Sequence, residues 1–257
     1  MKHMYHLNLD ENQVTNIKYA ILPGDPDRVA HIASHLENSR ELARKREYCS
    51  YTGMLNGTPV IVTSTGIGDA STSIAVEELA MLGIHTFVRI GTSSAIQPHI
   101  NVGSVMISTG AVRLDGASFH IAPPEYPAVA HYEVVQSLMD GANELNIEHH
   151  AGITASSSTF YQGQERYDTY KKYVIRRFAG SLSEWQSLGV MNYEMESATL
   201  FTQTSVMGLR AGCICTAIAN RCHTEHVDLS IIKSCESTVI KATLKGISIL
   251  IDRDHKK

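Results

Sequence analysis

The sequence lacks several features that define whole classes of proteins. It has no apolar run near the roughly 20 residues that span a bilayer, and its first residues, MKHMYHLNLDENQ, do not resemble a signal peptide. Its 22 basic residues are outnumbered by 26 acidic ones, so no basic surface for nucleic acid is expected. Five cysteines are an odd number, which argues against a disulfide framework and favours a cytoplasmic protein.

What is present is typical of a globular chain. Of the 257 residues, 43% are hydrophobic and 19% are charged, which is sufficient for a full core. Strand-like and helix-like segments alternate from residue 18 to the end, without a repeat or a linker rich in proline, glycine and serine. We therefore predict an α/β fold in one domain, residues 1–257, with three α/β/α layers and a central mixed, twisted sheet flanked by helices.

Some elements have distinct local signals. Asp25 can cap a helix whose first position is Pro26. Asn56-Gly57 lies between two strand-like runs, and this dipeptide favours a tight hairpin. Residues 70–82, ASTSIAVEELAML, have apolar positions at helical spacing.

A glycine-rich loop, STGIGDAS at residues 64–71, places Gly66, Gly68 and Ser71 at the spacing of a dinucleotide-binding motif. That motif should follow the first strand of a βαβ unit and precede an acidic residue about 20 positions later. Here the preceding strand is the second arm of a hairpin, and the later segment is TFVRIG, with an arginine. A dinucleotide site is therefore excluded.

The segment GCICTAIAN raises the question of a metal site, because Cys213 and Cys215 precede Cys222 and His223. Its alternating pattern instead favours a buried strand, in which cysteine acts as a small apolar residue. We therefore assign no metal to these cysteines.

Two strand ends carry signals for an anion. Gly24 lies at a strand-to-helix turn, where free backbone N–H groups favour negative charge, and Arg28 follows one turn later. Arg89 lies inside an apolar strand and is followed by Thr92. A buried arginine needs a partner, and either a carboxylate or a bound phosphate would suit its planar fork. Ligands of open α/β sheets bind at such strand ends.

Two further clusters have polar groups suited to a ligand. Glu194 and Glu196 enter an apolar segment, where they could be helix N-terminal carboxylates or could bind vicinal hydroxyls, with Met195 as an apolar wall. In TFYQGQERYD, Phe160 could stack on a ring. Gln164 and Arg166 would share one face of a strand and could together bind the N–C=O edge of a pyrimidine.

These clusters, in this order, resemble the nucleoside phosphorylase-I family over essentially the whole chain. The most specific stretches are PGDPDRV, STGIG, STSIAVEELA, SSAIQPHINVG, VRLDGAS, GQERYDTY and GVMNYEMESATL. The resemblance, closest to the uridine-cleaving members, implies a pentosyltransferase of pyrimidine salvage. It would convert uridine and phosphate reversibly into uracil and ribose 1-phosphate, without an organic cofactor. It also implies a homohexamer, a trimer of dimers, whose active sites are completed by neighbouring chains.

The resemblance also implies roles for individual residues, with Arg89, Glu196 and Arg166 at the centre of the chemistry. The phosphate-binding positions match Gly24, Arg28, Arg89 and Thr92, with Arg46 of the partner subunit. The ribose-binding positions match Met195 and Glu196, with His6 of the partner subunit. The base-binding positions match Phe160, Gln164, Arg166, Arg221 and Ser94. A potassium ion at the dimer interface would be held at Glu47, Ile67 and Ser71.

The sequence departs from the family at three positions. Ser94 stands where glycine is usual, Cys222 replaces threonine and Gln162 replaces proline. Three alternatives to the uridine-cleaving function therefore stay open: a phosphorylase of purine or other nucleosides, a nucleosidase that uses water, and a nucleoside-binding protein without catalysis. A purine enzyme would normally have an aspartate in the region of Asn220-Arg221, which argues against the first of these.

Overall fold

Twelve strands and seven α-helices are found in residues 2–257, the part of the chain that the computed structural model describes. The strands are β1 (His3–Met4), β2 (Leu9–Asp10), β3 (Tyr19–Pro23), β4 (Glu37–Lys45), β5 (Tyr48–Leu55), β6 (Thr58–Thr63), β7 (Thr86–Ala95), β8 (Val105–Leu114), β9 (Ala128–Val129), β10 (His149–Ser157), β11 (Asn192–Glu194) and β12 (Arg210–Asn220). The helices are α1 (Pro26–Ala33), α2 (Asp69–Met81), α3 (Ala117–Ile121), α4 (Tyr132–Glu144), α5 (Ser181–Ser187), α6 (Ser197–Val206) and α7 (Ile232–Asp254), with a 3₁₀-helix at Glu11–Val14.

Ten of the strands form one mixed sheet. Its order is β11-β10-β8-β12-β7-β3-β6-β5-β4, with β9 paired to β8. Strands β6, β3, β7 and β12 run parallel, whereas β8 is antiparallel to β12. Because β11 also pairs with β7, the five strands β11, β10, β8, β12 and β7 close into a ring. The predicted mixed sheet is thus confirmed, with a partial closure that the sequence pattern did not indicate.

Helices cover both faces of this sheet. Apolar residues of α1, α4 and α7 pack in one core cluster, and those of α2 and α6 pack in another. Along β12, Ile214 belongs to the first cluster, and its neighbours Cys213 and Cys215 belong to the second. This alternation is that of a strand buried on both sides. It confirms the α/β class and the buried strand predicted for the cysteines.

The cap, the hairpin and the helix predicted from local sequence signals are all present in the structure. The Asp25 side chain accepts a hydrogen bond from the Asp27 backbone N–H, with Pro26 in the first turn of α1. Asn56 and Gly57 both have positive φ, 49° and 72°, as the tight hairpin between β5 and β6 requires. The helical spacing of residues 70–82 corresponds to helix α2, Asp69–Met81. Among residues 2–257 no helix is long and apolar enough to cross a membrane.

Candidate active site

A cavity of about 710 Å³ lies at the carboxyl ends of β3, β6, β7 and β12, beside the start of α6. Ligands of α/β sheets bind at this edge. Twelve of the residues predicted from the sequence line it: Gly24, Arg28, Glu47, Ile67, Arg89, Thr92, Ser94, Phe160, Gln164, Arg166, Met195 and Glu196. The fold therefore brings together segments that are up to about 170 positions apart in the chain.

Four predicted site residues do not line this cavity within one chain. Ser71 and Arg221 lie just behind its lining, against Gly66 and Gln164 respectively. His6 lies elsewhere, with its Nδ1 2.7 Å from the Glu78 carboxylate. Arg46 is exposed in the turn between β4 and β5. The roles of His6 and Arg46 toward a neighbouring subunit stay predictions.

Arg89 is the buried centre of the site. Its Nε lies 3.0 Å from Glu194 Oε2, and its Nη2 lies 2.5 Å from Glu196 Oε2. Burial alone would lower the pKa of Arg89, but Glu196 and Glu194 together raise it, so the guanidinium keeps its charge. The sequence left open whether its partner was a carboxylate, and the structure shows two. A Cβ added at Gly24 would lie 3.9 Å from the remaining Nη1, so this nitrogen faces the predicted anion turn.

The two glutamates have different surroundings. Glu194 Oε2 accepts hydrogen bonds from the backbone N–H groups of Glu196 and Ser197, both at 2.9 Å, so it stabilises the first turn of α6. Glu196 lines the cavity, and its Oε1 accepts from the Gly68 N–H at 2.7 Å. Burial and the nearby Glu194 charge raise the pKa of Glu196, although Arg89 opposes this shift. Glu194 therefore fits the helix-terminus interpretation, and Glu196 is available to a ligand.

The glycine-rich loop shapes the floor of the cavity. Gly66 has a φ of 72°, and a Cβ there would lie 2.8 Å from Glu47 Cγ, so no larger residue fits without a shift. The Ser71 hydroxyl donates to the Ile67 carbonyl at 3.3 Å. The three residues predicted to hold potassium, Glu47, Ile67 and Ser71, therefore lie around one loop and supply oxygen atoms, the ligand type that hard cations prefer.

At the other end of the cavity lie Gln164 and Arg166. They do not lie on a strand, so that prediction was wrong: the segment between β10 and α5 is irregular here. Glu165 has a φ of 52°, and the Arg166 N–H donates to the Tyr161 carbonyl at 2.8 Å, which reverses the chain. Turn formation, rather than strand periodicity, places both side chains in the cavity.

Contacts with neighbouring side chains hold this turn in place. Arg221 Nη1 donates to the Gln164 carbonyl at 2.8 Å. The Arg166 guanidinium carbon lies 4.3 Å from the centre of the Phe160 ring, a cation–π distance. Phe160 is 46% exposed, so much of its ring is still accessible.

Sequence reasoning missed two carboxylates that pair with predicted site arginines. Glu236, on α7, accepts from Arg28 Nη2 at 2.6 Å. Glu225 accepts from Arg221 Nε at 2.6 Å and also pairs with Arg166. The four-residue spacing of Arg221 and Glu225 was the available signal, but no sequence pattern links Arg28 to a residue 208 positions away.

Ser94, at the position where the family usually has glycine, lies in the lining of the cavity. It is half-buried, and its hydroxyl forms no hydrogen bond within residues 2–257. The neighbouring Ser93 hydroxyl, in contrast, donates to the Tyr193 carbonyl at 2.5 Å. The Ser94 side chain is therefore free to contact a ligand.

A second cavity of similar size, about 730 Å³, lies between α4 and α7. Of its basic residues, Arg253 is already paired with Asp140, and Lys257 with Glu133. It has no convergence of buried charged groups comparable to Arg89 with its two glutamates. The chemistry is therefore better assigned to the cavity at the strand ends.

The site thus combines an anion turn, a buried arginine bridged by two carboxylates and an amide–arginine pair at the opposite end. These features suit an α/β protein whose ligands are an anion and a polar organic molecule. A family model described as "Phosphorylase superfamily" matches residues 18–250. The chain belongs to the phosphorylase superfamily, as its resemblance to nucleoside phosphorylases led us to expect.

Curated relatives match over most of the length of this chain. A uridine phosphorylase of Escherichia coli is 52% identical over 248 residues, covering 96% of this chain and 98% of the relative. A uridine phosphorylase of Haemophilus influenzae is 51% identical, with 98% and 100% covered. A guanosine phosphorylase of Halorubrum lacusprofundi is 37% identical, with 84% and 83% covered.

Proposed function

We propose that this protein is a pentosyltransferase that cleaves uridine with phosphate, reversibly, to uracil and ribose 1-phosphate. The observation that carries the proposal is one cavity lined by the Gly24 turn, the Arg89–Glu196 pair and the Gln164–Arg166 pair. These three groups suit the phosphate, the ribose and the base of the reacting complex. Relatives named uridine phosphorylase, at 51–52% identity, support the same reaction.

The mechanism follows from the charges that develop during cleavage. Breaking the glycosidic bond gives the sugar oxocarbenium character and leaves negative charge on uracil. Arg89 and Arg28, with the Gly24 backbone, would hold phosphate against the anomeric carbon, which supplies orientation and electrostatic stabilisation. Glu196 would bind the ribose hydroxyls. Gln164 and Arg166 would stabilise the charge on the uracil oxygens, an interaction that strengthens toward the transition state.

Cleavage of purine nucleosides is less well supported, although one relative is named guanosine phosphorylase. Such an enzyme would use an acid to protonate the leaving purine. In the region of that acid stand Asn220 and Arg221, and the Asn220 amide nitrogen donates to the carbonyls of Gln97 and Ile100 at 2.9 and 2.8 Å. The Asn220 side chain is thus engaged in holding the loop after β7, and an amide has no acidic proton to transfer.

The test is a panel of nucleosides incubated with and without phosphate. We expect uridine to yield ribose 1-phosphate only when phosphate is present, and inosine and guanosine to react more slowly. A site built to pair with polar edges rejects analogues that leave its groups unpaired. Free ribose without phosphate would indicate a nucleosidase, and faster cleavage of inosine would overturn the base assignment. Binding of uridine without turnover would indicate a non-catalytic protein.

The proposal extends to the surroundings of the site. Phosphate is the co-substrate, no organic cofactor is needed, and Glu47, Ile67 and Ser71 would hold a potassium ion between two subunits. Residues 1–257 would act as one nucleoside phosphorylase domain in pyrimidine salvage. All five cysteines are free thiols in the structure, which supports a reducing, cytoplasmic location.

Each active site should require two chains, in a homohexamer built as a trimer of dimers. His6 and Arg46 do not reach their own cavity, so a partner subunit would supply them. We expect His6→Ala and Arg89→Ala variants, each weakly active alone, to regain activity when refolded together, because mixed dimers contain one intact site. Light scattering on the unaltered protein should give a particle near six times 28.2 kDa. An active monomer, or no recovery on mixing, would contradict the shared site.

Replacing Ser94 by glycine should raise kcat/KM for uridine. The extra hydroxymethyl group lines the same cavity as Gln164 and Arg166, which already supply polar groups for the uracil edge. Removing it should relieve crowding of the base, so the gain should appear mostly in KM. Steady-state kinetics with uridine provide the measurement. If the hydroxyl instead bonds uracil, kcat/KM should fall by the value of one hydrogen bond, about 1 kcal/mol or fivefold.

A further inference from the structure

Two buried arginines lie side by side at the base end of the cavity. Arg166 is 6% exposed and Arg221 is 7% exposed. Burial, and then the proximity of Arg221, lowers the pKa of Arg166. The Arg221 guanidinium also lies 5.5 Å from the centre of the Tyr193 ring. With only neutral groups around them, two such cations would make this end of the cavity strongly attractive to an anion.

One carboxylate from a loop bridges the two cations. Glu225 lies in the segment 221–231 between β12 and α7, and it lines the cavity. It pairs with Arg166 Nη1 and accepts from Arg221 Nε at 2.6 Å. Asp168 lines the same cavity and interacts electrostatically with Arg166. The two positive and two negative charges at this end therefore balance.

We propose that Glu225 is a specificity-determining residue, which makes the base pocket select neutral pyrimidines over anionic ones. This inference rests on the proposed function, because it takes the Gln164–Arg166 end as the base pocket. Glu225 occupies guanidinium N–H groups that an anionic base would otherwise use. Its own charge also repels such a base at close range. Arg166, which lines the cavity, keeps enough N–H groups to bind an oxygen of a neutral ring.

The bridge has a second consequence for catalysis. The leaving uracil gains negative charge only as the glycosidic bond breaks, and at that stage it is held close to Arg166. A pocket that is balanced before the reaction binds the neutral substrate without attracting anions from the cell. Glu225 thus selects against bases that are anionic before the reaction, and it also offsets part of the stabilisation that the arginines give to the leaving uracil.

The experiment uses uracil and 5-fluorouracil as inhibitors of uridine cleavage. The two bases have nearly the same shape, but 5-fluorouracil loses a ring proton at a lower pH than uracil does. The ratio of their inhibition constants is measured below and above the pKa of 5-fluorouracil, while uracil stays neutral. Effects of pH on the protein that act equally on the two bases cancel in this ratio.

For the unaltered protein, we expect inhibition by 5-fluorouracil, relative to uracil, to weaken as the fluorinated base ionises. In Glu225→Gln, the factor by which ionisation weakens 5-fluorouracil inhibition relative to uracil should be smaller by about tenfold or more. This is the order expected when one like charge is removed from a partly exposed site. Glu225→Asp, which keeps the charge, should retain most of the preference. Asp228→Asn removes a charge from the same loop, where Asp228 accepts from Ser230, and should behave as the unaltered protein.

The outcomes separate the two proposals. The same pH dependence of the ratio between 5-fluorouracil and uracil inhibition in Glu225→Gln and in the unaltered protein would overturn this inference alone. An equal change in Asp228→Asn would also overturn it, because the effect would then belong to the loop's net charge. Failure of the unaltered protein to bind uracil would overturn the proposed function, and this inference with it.

Discussion

Replacing Arg89 by alanine should reduce phosphorolysis by about a hundredfold to a thousandfold, the scale seen when a preorganised group that stabilises transition-state charge is removed. It should also reduce the free energy of unfolding by about 3–5 kcal/mol, because two buried carboxylates would lose their shared cation. Both effects have one structural cause: the same guanidinium pairs with Glu194 and Glu196 and faces the Gly24 turn with Nη1. Steady-state kinetics at varied phosphate and urea unfolding measure the two effects separately.

A matched variant separates the loss of stability from the loss of function. Arg210 lies at the start of β12, at the opposite end of the strands, and pairs with Asp254 and Glu133. Arg210→Ala should also lower the free energy of unfolding, but the folded protein should keep its kcat/KM. Arg89→Lys should fold better than Arg89→Ala and stay poorly active, because an ammonium lacks the planar fork that spans two carboxylates. Near-normal activity of Arg89→Ala at low phosphate would contradict the phosphate assignment.

Replacing Glu196 by glutamine should lower kcat/KM for uridine by about a hundredfold or more, the range for losing a charged group that orients the substrate. The fold should survive, since Glu194 still pairs with Arg89 and the glutamine carbonyl can accept from the Gly68 N–H. The measurement specific to Glu196 is the preference between nucleosides that differ in their sugar. If Glu196 binds the ribose hydroxyls, the preference between uridine and 2′-deoxyuridine should move toward equality in the variant.

The pH profile gives an independent check on Glu196. Because burial raises the pKa of this carboxyl group, acidification protonates it at a higher pH than it would an ordinary glutamate. In the unaltered protein, kcat/KM should therefore fall as the pH drops through this raised value. In Glu196→Gln, the fall of kcat/KM at low pH (the acidic limb of the profile) should disappear. Glu133→Gln, which changes a partner of Arg210, should keep it. An unchanged acidic limb in Glu196→Gln would assign the titration to another group.

Much of the local structure could be read from short stretches of the sequence. The cap at Asp25, the Asn56-Gly57 hairpin and the alternation around Cys213 each depend on residues within a few positions of one another. Local backbone preference and burial periodicity are sufficient there, because the competing conformations lack the same hydrogen bonds or expose apolar groups. The strand assigned to Gln164 and Arg166 was wrong because a turn at Glu165, held by Arg221, overrides the pattern.

The sequence by itself determined the α/β class, the family and the candidate residues, because these are expressed in composition, periodicity and contiguous motifs. Only the tertiary structure decided which charged side chains form ion pairs. The two carboxylates on Arg89, the pairing of Arg28 with Glu236 and the bridge made by Glu225 join residues from different elements. The reason is physical: a charge that folding buries needs an opposite charge nearby, and the packing of strands, helices and loops decides which residues come that close.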